Sequence, residues 1–172
     1  MHIRPELKDD QAIIRTINEA AFNRTNEADI VDLLRERGKL PVSLLAVLED
    51  GQSPIGHIAF SPMVIEKNGA VITRGLCLGP IAILPEYQKQ GIGSALLLEG
   101  LRVCKEENVD FVLLFGEPKF YSRFGFEKAS NYNITNDFGV DDPCQIIALR
   151  EHALTGVSGK VVIADEFAEV GF

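Results

Sequence analysis

The chain has 172 residues, 46% of them apolar, and a formal net charge of −8 at pH 7. That length suits one domain with a sizeable core, and the apolar fraction excludes an intrinsically disordered chain. The negative charge argues against broad binding along a phosphate backbone, which needs a basic footprint, so no nucleic-acid partner is expected.

Three cysteines occur, Cys77, Cys104 and Cys144. A sparse, odd count gives neither a disulfide framework nor metal-ligand spacing, so the reading is of inert packing residues, no metal and a cytoplasmic setting. No apolar leader follows Met1, and no apolar run approaches membrane-spanning length, so no membrane partner is expected. The acidic balance is compatible with an amine substrate, though solubility explains it equally well.

His2 to Pro5 reads as a first strand. Asp9 or Asp10 is placed to cap a helix running to about Phe22, with Ile13, Ile14, Ile17, Ala20 and Ala21 at helical spacing. A second helix from about Glu27 to Arg37 buries Ile30, Val31 and Leu34 and stops at Gly38. Strands follow over Ser43–Leu48, Ile55–Val64 and Val71–Leu84, with Asn68-Gly69 as a hairpin turn. Gly79-Pro80 inside the last of these predicts a bulge, because proline cannot donate a ladder hydrogen bond. A third helix spans about Gly93–Glu107, then a buried strand Phe111–Phe115 and a short helix Lys119–Arg123. Weaker strands are expected near Glu127–Ile134, Gln145–Leu149 and Lys160–Ala164. An antiparallel front half with one strand–helix–strand unit, Ile81 to Leu114, makes an α/β protein with a mixed sheet. No linker divides the chain, so residues 1–172 are expected to form a single domain.

The chemistry is concentrated where a buried strand enters a loop with two glycines that opens a helix. A first helical turn has unpaired amides and a partial positive charge. Gly91 and Gly93 let a ligand approach the backbone, which makes an anion site for a phosphate or pyrophosphate, with Ser94 able to add a hydroxyl and Lys89 a charge. A Walker loop is excluded, since Ile92 follows Gly91 where lysine belongs. A dinucleotide fingerprint fails at Leu96, where a third glycine is needed. A third pattern, Gln/Arg-x-x-Gly-x-Gly/Ala, is met in full by Gln88-Lys89-Gln90-Gly91-Ile92-Gly93.

With Gly56-His57-Ile58-Ala59-Phe60-Ser61-Pro62 and Phe120-Tyr121-Ser122-Arg123-Phe124-Gly125-Phe126, this loop makes the sequence resemble the GNAT N-acetyltransferase superfamily, and within it the YhbS-like N-acetyltransferases. The resemblance covers nearly the whole chain. It implies the GNAT acyl-CoA N-acyltransferase fold, a mixed, mostly antiparallel sheet flanked by helices and splayed at a slot for the cofactor arm. It implies acetyl-CoA as donor, with the main chain of Ile81, Ala82 and Ile83 pairing with the pantetheine arm. The pyrophosphate would sit on the amides of Gln88, Lys89, Gln90, Gly91, Ile92, Gly93 and Ser94. Tyr121 occupies the position of the acid that protonates the departing thiolate; the other reading of Tyr121 is a core aromatic with its hydroxyl tied off. Dimers are common among such proteins, and nothing in this sequence requires a homodimer.

An amine with a pKa near ~10.4 arrives protonated and must lose that proton, and the developing oxyanion needs N–H donors. Many relatives place a glutamate on the strand before the loop; no carboxylate lies between Val71 and Leu84 here. Glu27, His57 and Glu117 are the candidates for base or substrate contact, and a water chain is the alternative. The expected reaction is transfer of acetyl to a primary amine of a small molecule or protein, by direct attack in a ternary complex. The rival is a non-catalytic CoA-binding sensor of the same fold, and a weaker third reading is transfer of a longer acyl chain.

Overall fold

The computed structural model describes residues 1–172, which divide into two compact units. The first comprises Met1–Ser61, Gly79–Val103 and Asp165–Phe172, the second Pro62–Leu78 and Cys104–Ala164.

In the first unit, strand β1 (His2–Pro5) leads through a 3-10 turn, Lys8–Asp10, into helix α1 (Gln11–Phe22). Of the two expected caps, Asp9 and Asp10, it is Asp10 that stands at the N-cap, but its side chain bonds no helix amide. Its carboxylate instead accepts the Leu7 amide at 2.7 Å and a two-point contact from Arg4 at 2.6 and 3.0 Å, which ties the turn back to β1. Helix α2 (Asn26–Glu36) follows, and then β2 (Val42–Val47). β2 pairs antiparallel with β1 and with the start of β3 (Pro54–Lys67), aligning Arg4 with Leu45 and Leu45 with His57. Alternation then sorts the residues by face. Leu45, Val47 and Ala59 join Ile14 and Ile17 of α1, Val31 of α2 and Ala82 in one core cluster.

The end of β4 (Ala70–Ile83) and helix α3 (Ile92–Glu106) complete this unit. α3 lies on the opposite face, where Gly100 meets Phe60: a Cβ there would stand 2.7 Å from the ring. The Gly79–Pro80 peptide is cis, and β4 is continuous through it. A short helix absent from the sequence reading, α5 (Glu166–Glu169), closes the unit. Its Glu166 is fully buried against Lys39 at 2.7 Å and Arg37 at 3.2 Å.

In the second unit, the first part of β4 pairs in parallel with β5 (Phe111–Phe115) at Leu76–Leu78. β5 is antiparallel to β8 (Cys144–Ala148), which carries the two-residue β6 (Glu127–Lys128) on its other side. β9 (Gly159–Ile163) pairs antiparallel with the second half of β3 and in parallel with β7 (Ile134–Thr135). The expected strand over Glu127–Ile134 is therefore two fragments separated by a 3-10 turn, Ala129–Tyr132. The polar run from Lys128 to Asn133 has too few apolar positions to hold an alternating strand. The core here gathers Met63, Ile65, Cys77, Phe111, Leu113, Ile146 and Val161. Helix α4 (Pro118–Tyr121) and a 3-10 turn, Ser122–Phe124, follow β5.

Candidate active site

The glycine loop is built by what precedes and follows it. A 3-10 turn over Pro85–Tyr87 ends β4, and two glutamine side chains then fold back on the loop: Gln88 donates to the Ile83 carbonyl at 3.0 Å and Gln90 to the Glu86 carbonyl at 3.1 Å. Lys89 takes φ 60° and Gly91 φ 84°. The first amide of α3 with a backbone partner is Ala95, which donates to Gly91 at 3.0 Å. The amides of residues 89–94 make no hydrogen bond within the chain. Gly91 has nothing within 4 Å of a built Cβ, so the space beside it is open, and its positive φ is what requires glycine. A row of free amides at the head of a 15-residue helix is a site for an anion. Upstream, β4 pairs with β5 only at Leu76–Leu78. From Gly79 on its single strand partner is β3, so one edge of Ile81, Ala82 and Ile83 carries main-chain groups without a strand partner.

His57 is fully buried on β3. Its Nδ1 lies 3.1 Å from Asn18 Nδ2, and its Nε2 lies 2.9 Å from Ser43 Oγ, which in turn donates to Glu6. Asn18 Nδ2 also donates to the Ile14 carbonyl at 2.9 Å, so Nδ1 is the acceptor and Nε2 carries the proton. Burial pushes the imidazole pKa down to about 4, against a smaller opposing pull from Glu6. Arg35 pairs with Glu6 at 2.5 and 3.1 Å and with Asp32 at 2.7 Å. Glu6, Ser43 and Asn18 were not singled out in the sequence. Only Asn18 leaves a trace there, being one helical turn from Ile14 on the apolar stripe.

Glu27 is 4% exposed at the start of α2 and is gripped by Arg24, whose Nε lies 2.9 Å from one oxygen and 3.1 Å from the other. Arg24 is exposed and lies 5.7 Å from the ring centroid of Phe172. Glu117 caps α4 by accepting the Lys119 amide at 3.2 Å. Tyr121 is 8% exposed. Its ring packs edge-on against Phe120 at 4.9 Å and Phe126 at 5.8 Å, while its hydroxyl makes no hydrogen bond within the chain. Burial pushes the phenol pKa up to about 12. Arg123 stacks over Phe120 at 4.9 Å.

The three cysteines are free and buried, and burial raises the thiols of Cys77 and Cys104 to about 12 and that of Cys144 to about 11. No three His, Cys, Asp or Glu side chains are placed to hold a metal ion. No helix is long and apolar enough to cross a membrane.

The acetyltransferase (GNAT) domain family matches residues 41–128. The uncharacterised N-acetyltransferase YhbS of Escherichia coli (strain K12) is 33% identical over 168 residues, which cover 97% of this chain and 98% of that protein. The chain belongs to the GNAT acetyltransferase family. Among solved GNAT structures, E. coli YhbS in complex with CoA superposes with a TM-score of 0.89 at 32% identity, covering 97% of this chain and 91% of that one. A GNAT acetyltransferase of Brucella melitensis in complex with acetyl-CoA gives 0.78 at 36% identity, covering 96% and 97%. The mixed sheet and its flanking helices are thus the GNAT fold. The family match takes in β2 to β6, and with them the glycine loop and Tyr121.

Proposed function

We propose that this N-acetyltransferase moves an acetyl group from acetyl-CoA to a primary amine, of a small molecule or a protein, by direct attack in a ternary complex. The observation that carries the reading is the row of free amides over residues 89–94 at the head of α3. The CoA and acetyl-CoA complexes of the two relatives at 32% and 36% identity support the same donor. The amides of Lys89 to Ser94 hold the pyrophosphate, with Lys89 adding charge; the Gln88 amide, expected to join them, is taken by the Pro85 carbonyl at 3.3 Å. The edge of Ile81, Ala82 and Ile83 that no strand pairs, where the Ile83 carbonyl accepts only the Gln88 side chain, takes the pantetheine arm as it would take an added strand. Bound there, the thioester supplies the acyl group.

Tyr121 attends the departing sulfur. A phenol held at about 12 stays protonated at neutral pH, so it is a donor and not a base. Outright transfer to a thiolate, whose ordinary pKa is ~8.5, runs uphill, because burial holds the phenol above it. Tyr121 therefore acts by donating a hydrogen bond to the developing thiolate. It hands its proton over only as it regains the one that the acylated nitrogen sheds.

The incoming ammonium must first lose a proton. His57 is enclosed, and Glu117, exposed at the head of α4, spends one oxygen on the Lys119 amide. Glu27 is held by an exposed guanidinium, and a substrate ammonium competes with Arg24 for it. Water takes the proton.

Calorimetric titration with acetyl-CoA, with NAD and ATP as controls, followed by mass detection of products from a primary-amine panel, tests this reading. Selective saturable binding and an N-acetylated product are expected. Tight binding without any product favours the sensor reading. No binding to folded, cofactor-free protein overturns both.

A further inference from the structure

Gly116 stands between β5 and α4, and its backbone gives no reason for a glycine, because its φ lies outside the positive range that L residues avoid. What excludes a side chain is the ring of Tyr121. A Cβ at position 116 would lie 2.4 Å from Tyr121 Cε2 and 3.1 Å from Cδ2, with Leu114 Cδ1 at 3.3 Å. A separation of 2.4 Å is shorter than carbon atoms tolerate. Phe120 and Phe126 pack edge-on against the ring at 4.9 and 5.8 Å, so it gives way to a methyl only by shifting against them. The Gly116 backbone is itself fixed, its amide donating to the Pro143 carbonyl at 2.9 Å.

We propose that Gly116 is a positioning residue for the reaction: by lacking a side chain it seats the Tyr121 ring against the end of β5 and so sets where the phenol hydroxyl points. The inference rests on the reading of Tyr121 as the hydrogen-bond donor to the leaving thiolate. It adds that a single methyl group at residue 116, without touching any substrate, has the consequence of removing that hydroxyl. Relieving 2.4 Å to an ordinary contact near ~3.5 Å moves the ring by about 1 Å, a displacement that costs on the order of 100-fold where reacting groups must align.

The test needs no acceptor amine. CoA enriched with carbon-13 at the carbon bearing the thiol is bound to excess protein, and the pKa of its thiol is read from the carbon shift against pH. A donated hydrogen bond favours the thiolate, so the bound thiol titrates lower in the unchanged protein than in Tyr121→Phe, by about one unit. Gly116→Ala is expected to match Tyr121→Phe, and the double variant to show no further rise. If the unchanged protein and Tyr121→Phe titrate alike, the donor reading of Tyr121 fails, and this inference with it. If they differ and Gly116→Ala titrates like the unchanged protein, the inference alone is overturned. Thermal melts supply a second arm in case Gly116→Ala does not fold: in a Tyr121→Ala background the added methyl should cost no stability. A cost that persists there shows that the ring is not what excludes it.

Discussion

Lowering the pH from 7 to 5 should destabilise this protein through one residue, His57. In the fold the imidazole is neutral, with a pKa pushed to about 4 by burial, against 6.5 for an open chain. Above pH 6.5 both states are neutral and the full stability is present. As pH falls below 6.5 the unfolded chain takes up a proton that the folded one refuses, so stability is lost until the folded pKa near 4 is passed. At 1.36 kcal/mol per unit, a shift of about 2.5 units is worth about 3 kcal/mol in all, and about 2 kcal/mol of that goes between pH 7 and 5. The ring is wholly enclosed, so solvent does not discount this. Carboxylates held low by their partners, such as Glu6 beside Arg35 and Asp10 beside Arg4, start from model values of 4.5 and 3.8 and act below this window. Urea unfolding at pH 7, 6 and 5 measures the loss, and His57→Gln should remove the slope whatever it does to stability at pH 7. A flat profile in the unchanged protein, or an undiminished slope in His57→Gln, would refute the enclosed, neutral imidazole.

Three further outcomes follow from the geometry. Gly91→Glu strains a backbone at φ 84° and sets a carboxylate among the free amides, so calorimetry should find acetyl-CoA binding abolished in a protein that still folds. Tyr121→Phe keeps the ring and loses the hydroxyl, so turnover should fall by roughly 10- to 100-fold with acetyl-CoA affinity nearly unchanged, and equal turnover would remove Tyr121 from the mechanism. Gly100→Ala gains about 1 kcal/mol of helix propensity, but its methyl meets the Phe60 ring at 2.7 Å, a clash worth about 1–3 kcal/mol. A melting temperature lower by roughly 2–4 °C is expected, and a rise would mean that α3 stands further from the sheet.

Local pattern alone determined much of this protein. Periodicity marked α1, α2 and α3, because each buries one stripe and the stripe is written every third or fourth residue. The glycine loop was legible for a related reason: what marks it is a row of main-chain amides at a helix start, and their position follows from sequence order. The stretch after β5 was less legible. β6 and β7 are two residues each, held by pairing with β8 and β9 and not by their own composition, and α5 is a four-residue helix held by Arg37, Lys39 and its own buried Glu166. Only the tertiary structure decided which polar residues are spent. His57 looks available on its strand until α1 delivers Asn18 to one ring nitrogen and β2 delivers Ser43 to the other. Nor does spacing reveal that Gly116 is bare because the ring of Tyr121 lies against it. Sequence order sets what a segment does with its own backbone; which side chains remain free depends on partners brought from elsewhere in the chain, as Glu6 is brought to Ser43 across 37 positions.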